Sequence, residues 1–314
     1  MIENTQDLKK YVSVSEDFEF SEFEPYIDKA QRTYLQKYVG KLYFESISDE
    51  DVHQSIKEEA QKLVDCAMAN FGYYLFTPYA SLSLDASGMY NHESENRSKI
   101  TVWQLNDIRR DLLRAGHEAM DELLELLEQN ATVFVNWHSS YSTVYKELLV
   151  NSTIVFQKFY NISNSRQTFL SLQPAVRLVE DKLLKTTFCA DLLKRLKASD
   201  LNEKELELKD LLQQAIVYGT VTKVCNEGIF ELTATGIKMK FDALDYEKNV
   251  PVEKFEQLKT IAENLSADAN QILKRAMTFI KVNETSFTQC NGKMIIEKEG
   301  AGYAPIITQG IIGI

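Results

Sequence analysis

Apolar positions recur along this chain every three or four residues, the spacing of one buried face on an α-helix. The first such stretch runs from Glu24 to Ile47 and puts Ile27, Ala30, Tyr34, Tyr38 and Leu42 on one stripe. Ser21-Glu-Phe-Glu24 has the spacing of a capping box, in which the Ser hydroxyl accepts the fourth residue's amide and the Glu reaches back. Pro25 suits a first turn, where its missing N–H has no intrahelical partner. A second helix is predicted from about Asp51 to Phe76, ending at Thr77-Pro78, and a third from about Trp103 to Gln129. Between them Ala80 to Leu84 alternates as a strand does, Ser87-Gly88 supplies a turn, and the polar run 91–100 reads as a loop.

The same order then returns. At an offset of 149, Pro25 falls on Pro174, Ala30 on Val179 and Tyr34-Leu35 on Leu183-Leu184. At 148, Leu63-Val64 falls on Leu211-Leu212 and Ala86-Ser-Gly88-Met89 on Ala234-Thr-Gly236-Ile237. At 153, Leu105, Ile108 and Leu112 meet Leu258, Ile261 and Leu265. The offset grows only across the polar stretches 91–100 and 239–250, where a loop absorbs insertions without disturbing a core. The pattern predicts a duplication: a first helical unit at 21–130 and a second at 165–283. Leu35, Val64, Leu112, Leu184, Leu212 and Leu265 are its expected core positions.

The flanking segments differ in kind. Residues 1–20 form an N-terminal segment with a short amphipathic piece, Asp7 to Val14, and an acidic-aromatic run, Ser15 to Phe20. Residues 131–164 carry Phe134, Trp137, Tyr141, Tyr145, Phe156 and Tyr160, too aromatic for a solvated spacer. Within this linker Ser140 to Val150 reads as helix and Thr153 to Phe159 as helix or strand. In the last segment, 284–314, two strand-like runs flank Asn291-Gly292, the signature of a two-residue hairpin. An uncharged, glycine-punctuated tail follows from Gly300 to Ile314. The expected fold is mainly α: two tandem units (helix, helix, short strand, helix), an aromatic-rich linker, and a C-terminal β-hairpin with an extended tail.

Composition narrows the picture. A chain of 314 residues with 44% hydrophobic content suffices for two cores. A net charge of −11 argues against a sequence-independent grip on nucleic acid, which needs clustered Lys and Arg. Cys66, Cys189, Cys225 and Cys290 are far apart. Cys66 and Cys189 fall in apolar helical patterns and are expected to pack as small hydrophobes, with no disulfide framework and a reducing, cytosolic birthplace. The N-terminus has neither the basic nor the apolar region of a signal peptide, and no apolar run is long enough to span a membrane.

No motif selects a chemistry. His53, His92, His117 and His138 lack the i, i+4 spacing of a zinc site. Carboxylates such as Glu58-Glu59, Asp121-Glu122 and Glu203 to Glu207 read as solvated helix faces. Gly300-Ala-Gly302 lacks the third glycine and the Lys-Ser/Thr pair of a phosphate loop, and no G-x-S-x-G elbow occurs. Gly88 and Gly236 read as turn glycines. Catalytic, cofactor-binding and metal-binding residues are therefore expected to be none.

The series Phe134-Val-Asn-Trp137, Asn151-Ser-Thr-Ile-Val-Phe156, Phe159-Tyr160, Ser165-Arg-Gln-Thr-Phe169 and Leu172-Gln-Pro174, set between two helical units, resembles an uncharacterised family of Bacteroides-type phage and prophage proteins. Its members look like tandem versions of the small helical head–tail connector proteins of tailed phages. The resemblance covers roughly residues 20 to 283. It implies a virion structural protein without catalysis, a ring subunit (portal adaptor) in the neck between capsid and tail, made in the bacterial host cytoplasm. The implied partners are further copies of itself, about a dozen if portal symmetry is followed, the portal protein, and tail or further ring proteins. DNA would pass through the channel without specific binding, and no membrane is involved. The competing expectations are a cytoplasmic helical ligand-binding protein or enzyme with a pocket between the units, and a helical adaptor. In the tail, Tyr303, Ile306, Ile307, Ile311, Ile312 and Ile314 are the expected protein-interface residues, since an uncharged β-prone segment needs a surface to dock on.

Overall fold

The computed structural model describes residues 2–40, 53–80, 82–85, 88–91, 101–139, 146–227, 230–233, 236–239 and 252–287. These residues are mainly helical and fall into two compact units that divide between Thr143 and Val144. The aromatic-rich segment 131–164 is thus shared, its beginning with the first unit and its remainder with the second.

In the first unit α1 (Thr5–Leu8) is capped by Asn4, whose Oδ1 accepts the Asp7 N–H at 3.0 Å. Next, α2 (Phe20–Ala30) runs through a π-helical turn (Gln31–Leu35) into α3 (Gln36–Val39), which stops at Gly40 with φ 78°. Two long helices follow, α4 (Gln54–Phe76) and α5 (Val102–Gln129), with a hairpin of β1 (Leu82–Asp85) and β2 (Gly88–Asn91) between them. A short α6 (Val135–Trp137) closes the unit. Helix α2 packs on α4, and α4 packs on α5.

The capping box expected at Ser21 does not form. Helix α2 begins at Phe20, Glu19 occupies the cap position with no side-chain hydrogen bond, and Pro25 lies inside the helix. Packing sets this start: the Phe23 ring is 5.9 Å from those of Phe18 and Phe76 and 6.1 Å from Phe20. Edge contacts among these rings outweigh a side-chain cap that contributes only about 1 kcal/mol.

The π turn has a visible consequence. Its extra residue lays Tyr34 flat on Phe71, ring centroids 4.1 Å apart and planes within 7°. On its way past α5 the Phe71 ring fills the space where a Cβ on Gly116 would stand, 2.7 Å away. His117 meets the same ring edge-on at 4.9 Å.

The second unit contains α7 (Thr153–Phe159), α8 (Arg166–Leu183), α9 (Ala190–Arg195), α10 (Glu203–Glu227), a hairpin of β3 (Phe230–Thr233) and β4 (Gly236–Met239), and α11 (Val252–Val282). The segment Thr153 to Phe159, open between helix and strand by sequence, is helical and capped by Ser152. Helices α7 and α8 pack on α10, and α10 packs on α11. A tight turn joins α7 to α8: Ser163 and Asn164 take φ of 55° and 54°, and the Ser165 N–H reaches the Ile162 carbonyl at 3.1 Å. Two consecutive left-handed residues closed by this bond make a type I′ turn.

Both units therefore run helix, helix, hairpin, helix. The hairpin pairs Leu82 with Asn91 and Asp85 with Gly88; its counterpart pairs Phe230 with Met239 and Thr233 with Gly236, every partner 148 positions later. Of the expected core residues, Leu35, Val64, Leu112, Leu184 and Leu212 are buried. Leu265 is partly buried against the second core.

Two further expectations change. Of the helix read from Ser140 to Val150, residues 140–145 lie outside the described residues, and 148–150 are bends rather than helix. Cys189 packs against the second core as expected but is disulfide-bonded, while Cys66 and Cys225 are free thiols. The C-terminal hairpin and the tail residues fall outside the described residues, apart from a 3₁₀ turn at Glu284–Ser286.

Candidate functional site

The predicted interface residues Tyr303, Ile306, Ile307, Ile311, Ile312 and Ile314 lie outside the described residues. Among the described residues no group of His, Cys, Asp and Glu could hold a metal ion. No described helix is long and apolar enough to cross a membrane. His53 is exposed beside the start of α4, and His117 is half-buried against Phe71.

Two polar constellations, each built on a buried carboxylate, organise the second unit. Leu148, Leu149 and Val150 are buried without regular structure, so their backbone groups need partners. Glu180 on α8, itself buried, accepts the Leu149 N–H through Oε2 at 2.8 Å and the Lys197 ammonium through Oε1 at 2.8 Å. Gln213 on α10 donates to the Leu149 carbonyl at 2.7 Å. One residue beside the boundary between the units is thus clamped from both sides.

The second constellation joins α9 to α10. Arg195 meets Glu205 in a two-pronged pair, Nε to Oε1 at 2.8 Å and Nη2 to Oε2 at 2.9 Å. Its remaining arm bonds Asp200 Oδ1 at 2.8 Å. Asn202 and Glu205 exchange backbone-to-side-chain bonds of 2.9 Å each way, a capping box on α10. The Arg195 guanidinium holds the Glu205 carboxyl below the ordinary carboxylate range. Glu205 therefore departs from the solvated helix face read from Glu203 to Glu207, for it is 1% exposed. Both clusters are bonded within the unit, and both serve architecture.

The surface is more informative. At the C-terminal end of α4, Phe76 is ringed by Phe18, Phe23, Tyr26 and Tyr73 at 5.3 to 6.0 Å. The cluster continues outward from Tyr26 to Tyr79, 5.7 Å away and exposed. Helices α4 and α5 run antiparallel, since Phe71 meets Gly116 and Tyr74 meets Arg109, whose guanidinium lies 4.9 Å over the ring. The start of α5 is therefore at the same end as Tyr79. There Val102 is 75% exposed and Trp103 65%, beside a helix start fixed by the Thr101–Gln104 capping box. Ile108, five residues after Trp103, is exposed as well.

Charge is divided unevenly between the units. Residues 1–143 hold 25 Asp and Glu against 13 Lys and Arg, a net −12, whereas 144–314 hold 21 against 22, a net +1. Five of the first unit's exposed carboxylates, Glu16, Asp17, Glu19, Glu22 and Glu24, lie on the segment that carries Phe18, Phe23 and Tyr26. An acidic, aromatic end of the first unit is the candidate site. The sequence signal for it was the run Ser15 to Phe20 together with Trp103, which by pattern marked only a helix start.

No curated protein and no solved structure matches the chain. A family model described as "Family of unknown function (DUF6712)" matches residues 17–147 and 180–293, well over half of the length, and the chain belongs to that family.

Proposed function

We propose that this protein works by protein–protein assembly, as a structural ring subunit of the tailed-phage neck joining portal to tail. The observation that carries the assembly reading is the exposed Val102-Trp103 pair at an end of the first unit rich in rings and carboxylates. A Trp left mostly in water is the residue type that anchors protein interfaces. The phage-neck assignment rests on the resemblance of the linker series and the paired helical units to head–tail connectors. The net charge of −11 suits a channel that lets DNA pass without adhesion. The uncharged tail, with Tyr303, Ile306, Ile307, Ile311, Ile312 and Ile314, is proposed as an arm that docks on a neighbouring copy or on the portal.

Native mass spectrometry and electron microscopy of the full chain test the proposal. A closed ring of about a dozen copies is expected, following the symmetry of a portal. Deleting residues 300–314 is expected to weaken that ring while the helical circular-dichroism signal stays. A strictly monomeric protein, alone and with portal protein added, overturns the ring assignment.

A further inference from the structure

We infer that the aromatic, acidic end of the first unit is a docking face for a basic, apolar-anchored peptide segment of another protein. The inference rests on the assembly reading only in taking protein contact as the chain's mode of action.

Exposure and rigidity come first. Trp103 is 65% exposed, yet it stands on a helix whose first turn is fixed by a capping box, so its backbone is held before any partner arrives. Tyr79 is exposed too, while its ring is braced by Tyr26, which in turn meets Phe76 at 5.3 Å. Rigid aromatic anchors lose little conformational freedom on binding, which is why they dominate interface energetics. A surface of this kind demands an apolar group from its partner.

Charge complementarity then selects the occupant. With a net −12 on residues 1–143, the first unit repels polyanions, so nucleic acid and anionic lipid headgroups are disfavoured. At this face a second copy of this chain is disfavoured on the same ground, so the face is assigned to a different protein of the assembly and copy-to-copy contacts in the ring to other surfaces. Its first unit brings the same −12 and its second unit only +1. Glu22 is one helical turn before Tyr26, and Glu16, Asp17 and Glu19 flank Phe18 and Phe20, so carboxylates border the rings. The complement is a segment that carries Lys or Arg around one or two apolar side chains. Such a pairing gains association rate from the field of the whole unit and residence time from the buried ring contacts.

The test uses the full-length protein and three synthetic peptides of equal length: alternating Lys and Leu, Glu and Leu, and Lys and Ser. Calorimetric titration is expected to show binding of the Lys/Leu peptide and none of the Glu/Leu peptide. Affinity for the Lys/Ser peptide is expected to be roughly tenfold weaker. Trp103→Ser, and separately the combined Glu19→Lys, Glu22→Lys and Glu24→Lys variant, should each weaken Lys/Leu binding by roughly tenfold or more. Glu256→Lys with Glu263→Lys and Asp268→Lys, exposed positions on α11 of the second unit, is the matched charge control and should leave binding nearly unchanged. Circular dichroism verifies that each variant is folded; all of these positions are exposed, so folding is expected to survive. Equal affinity for the Lys/Ser and Lys/Leu peptides, or binding indifferent to Trp103→Ser, overturns the docking face. Native mass spectrometry of the same samples separates the two readings. Peptide binding without rings sinks only the ring assignment, and rings without peptide binding sink only the docking face.

Discussion

Glu180 reaches across 31 positions of sequence to accept the backbone N–H of Leu149 at 2.8 Å. The carboxylate is buried and also holds Lys197, so it does two jobs from one site. Glu180→Ala is expected to lower stability by about 3 kcal/mol, because it strands a buried N–H and breaks an ion pair in one step. Gln213→Ala, which frees only the Leu149 carbonyl, should remove about 1 kcal/mol. Urea denaturation measures both, and the Leu149 amide should lose hydrogen-exchange protection in the first variant. Unchanged protection there would mean the clamp contributes nothing.

Gly116 faces the Phe71 ring with no room for a methyl group. Gly116→Ala should destabilise the first unit by roughly 1–3 kcal/mol, the range for overpacking a core. Phe71→Leu in the same chain should recover part of that loss, since the Cβ then has somewhere to go. A non-additive double-mutant cycle in thermal unfolding is the expected outcome.

Ser163 occupies the left-handed region, where its Cβ is crowded. Ser163→Gly should stabilise the second unit by about 1 kcal/mol, the strain relieved less the added freedom of the unfolded chain. A chemical-denaturation midpoint that moves down would show that the turn tolerates Ser without strain.

Glu205 has its carboxyl pKa lowered, chiefly by the hydrogen bonds from Arg195. The sign follows from proton linkage: the unfolded chain binds a proton more readily, so the contribution to stability is present above the ordinary Glu value of 4.5 and is lost as pH falls through the lowered folded value. Glu205→Gln should therefore be less stable than the parent at neutral pH, and the gap should close in acid. A gap independent of pH would show that the pair acts through shape alone.

The long helices were legible because a 3.6-residue period over 23 or 28 residues has no rival reading, as α4 and α5 illustrate. The start of α2 was not, since the capping pattern at Ser21 is local while the rings that override it come from Phe76, more than fifty positions on. The Leu149 clamp was invisible for the same reason: its partners stand 31 and 64 positions away. By contrast Asn202-x-x-Glu205 was a readable capping signal that the surrounding run of carboxylates obscured. In the candidate site, Trp103 was legible as a helix start and illegible as surface, because a single apolar residue at a helix end carries no phase information.

At offsets of 149 and 148, Ala30 and Phe71 correspond to Val179 and Gly219. The trade in volume is direct: in the second unit a Cβ on Gly219 would stand 2.8 Å from Val179, so the bulk that the first unit keeps on α4 is carried by α8. The first unit closes the Phe71 ring on Tyr34, and the second closes Gly219 on Val179. A nascent chain that docked α4 of one repeat against the first helix of the other would bring Phe71 onto Val179 and overfill the joint. Tandem repeats are prone to such cross-docking while they fold. Here the divergence of two core positions makes the wrong partnership sterically expensive and lets each half recognise its own pieces.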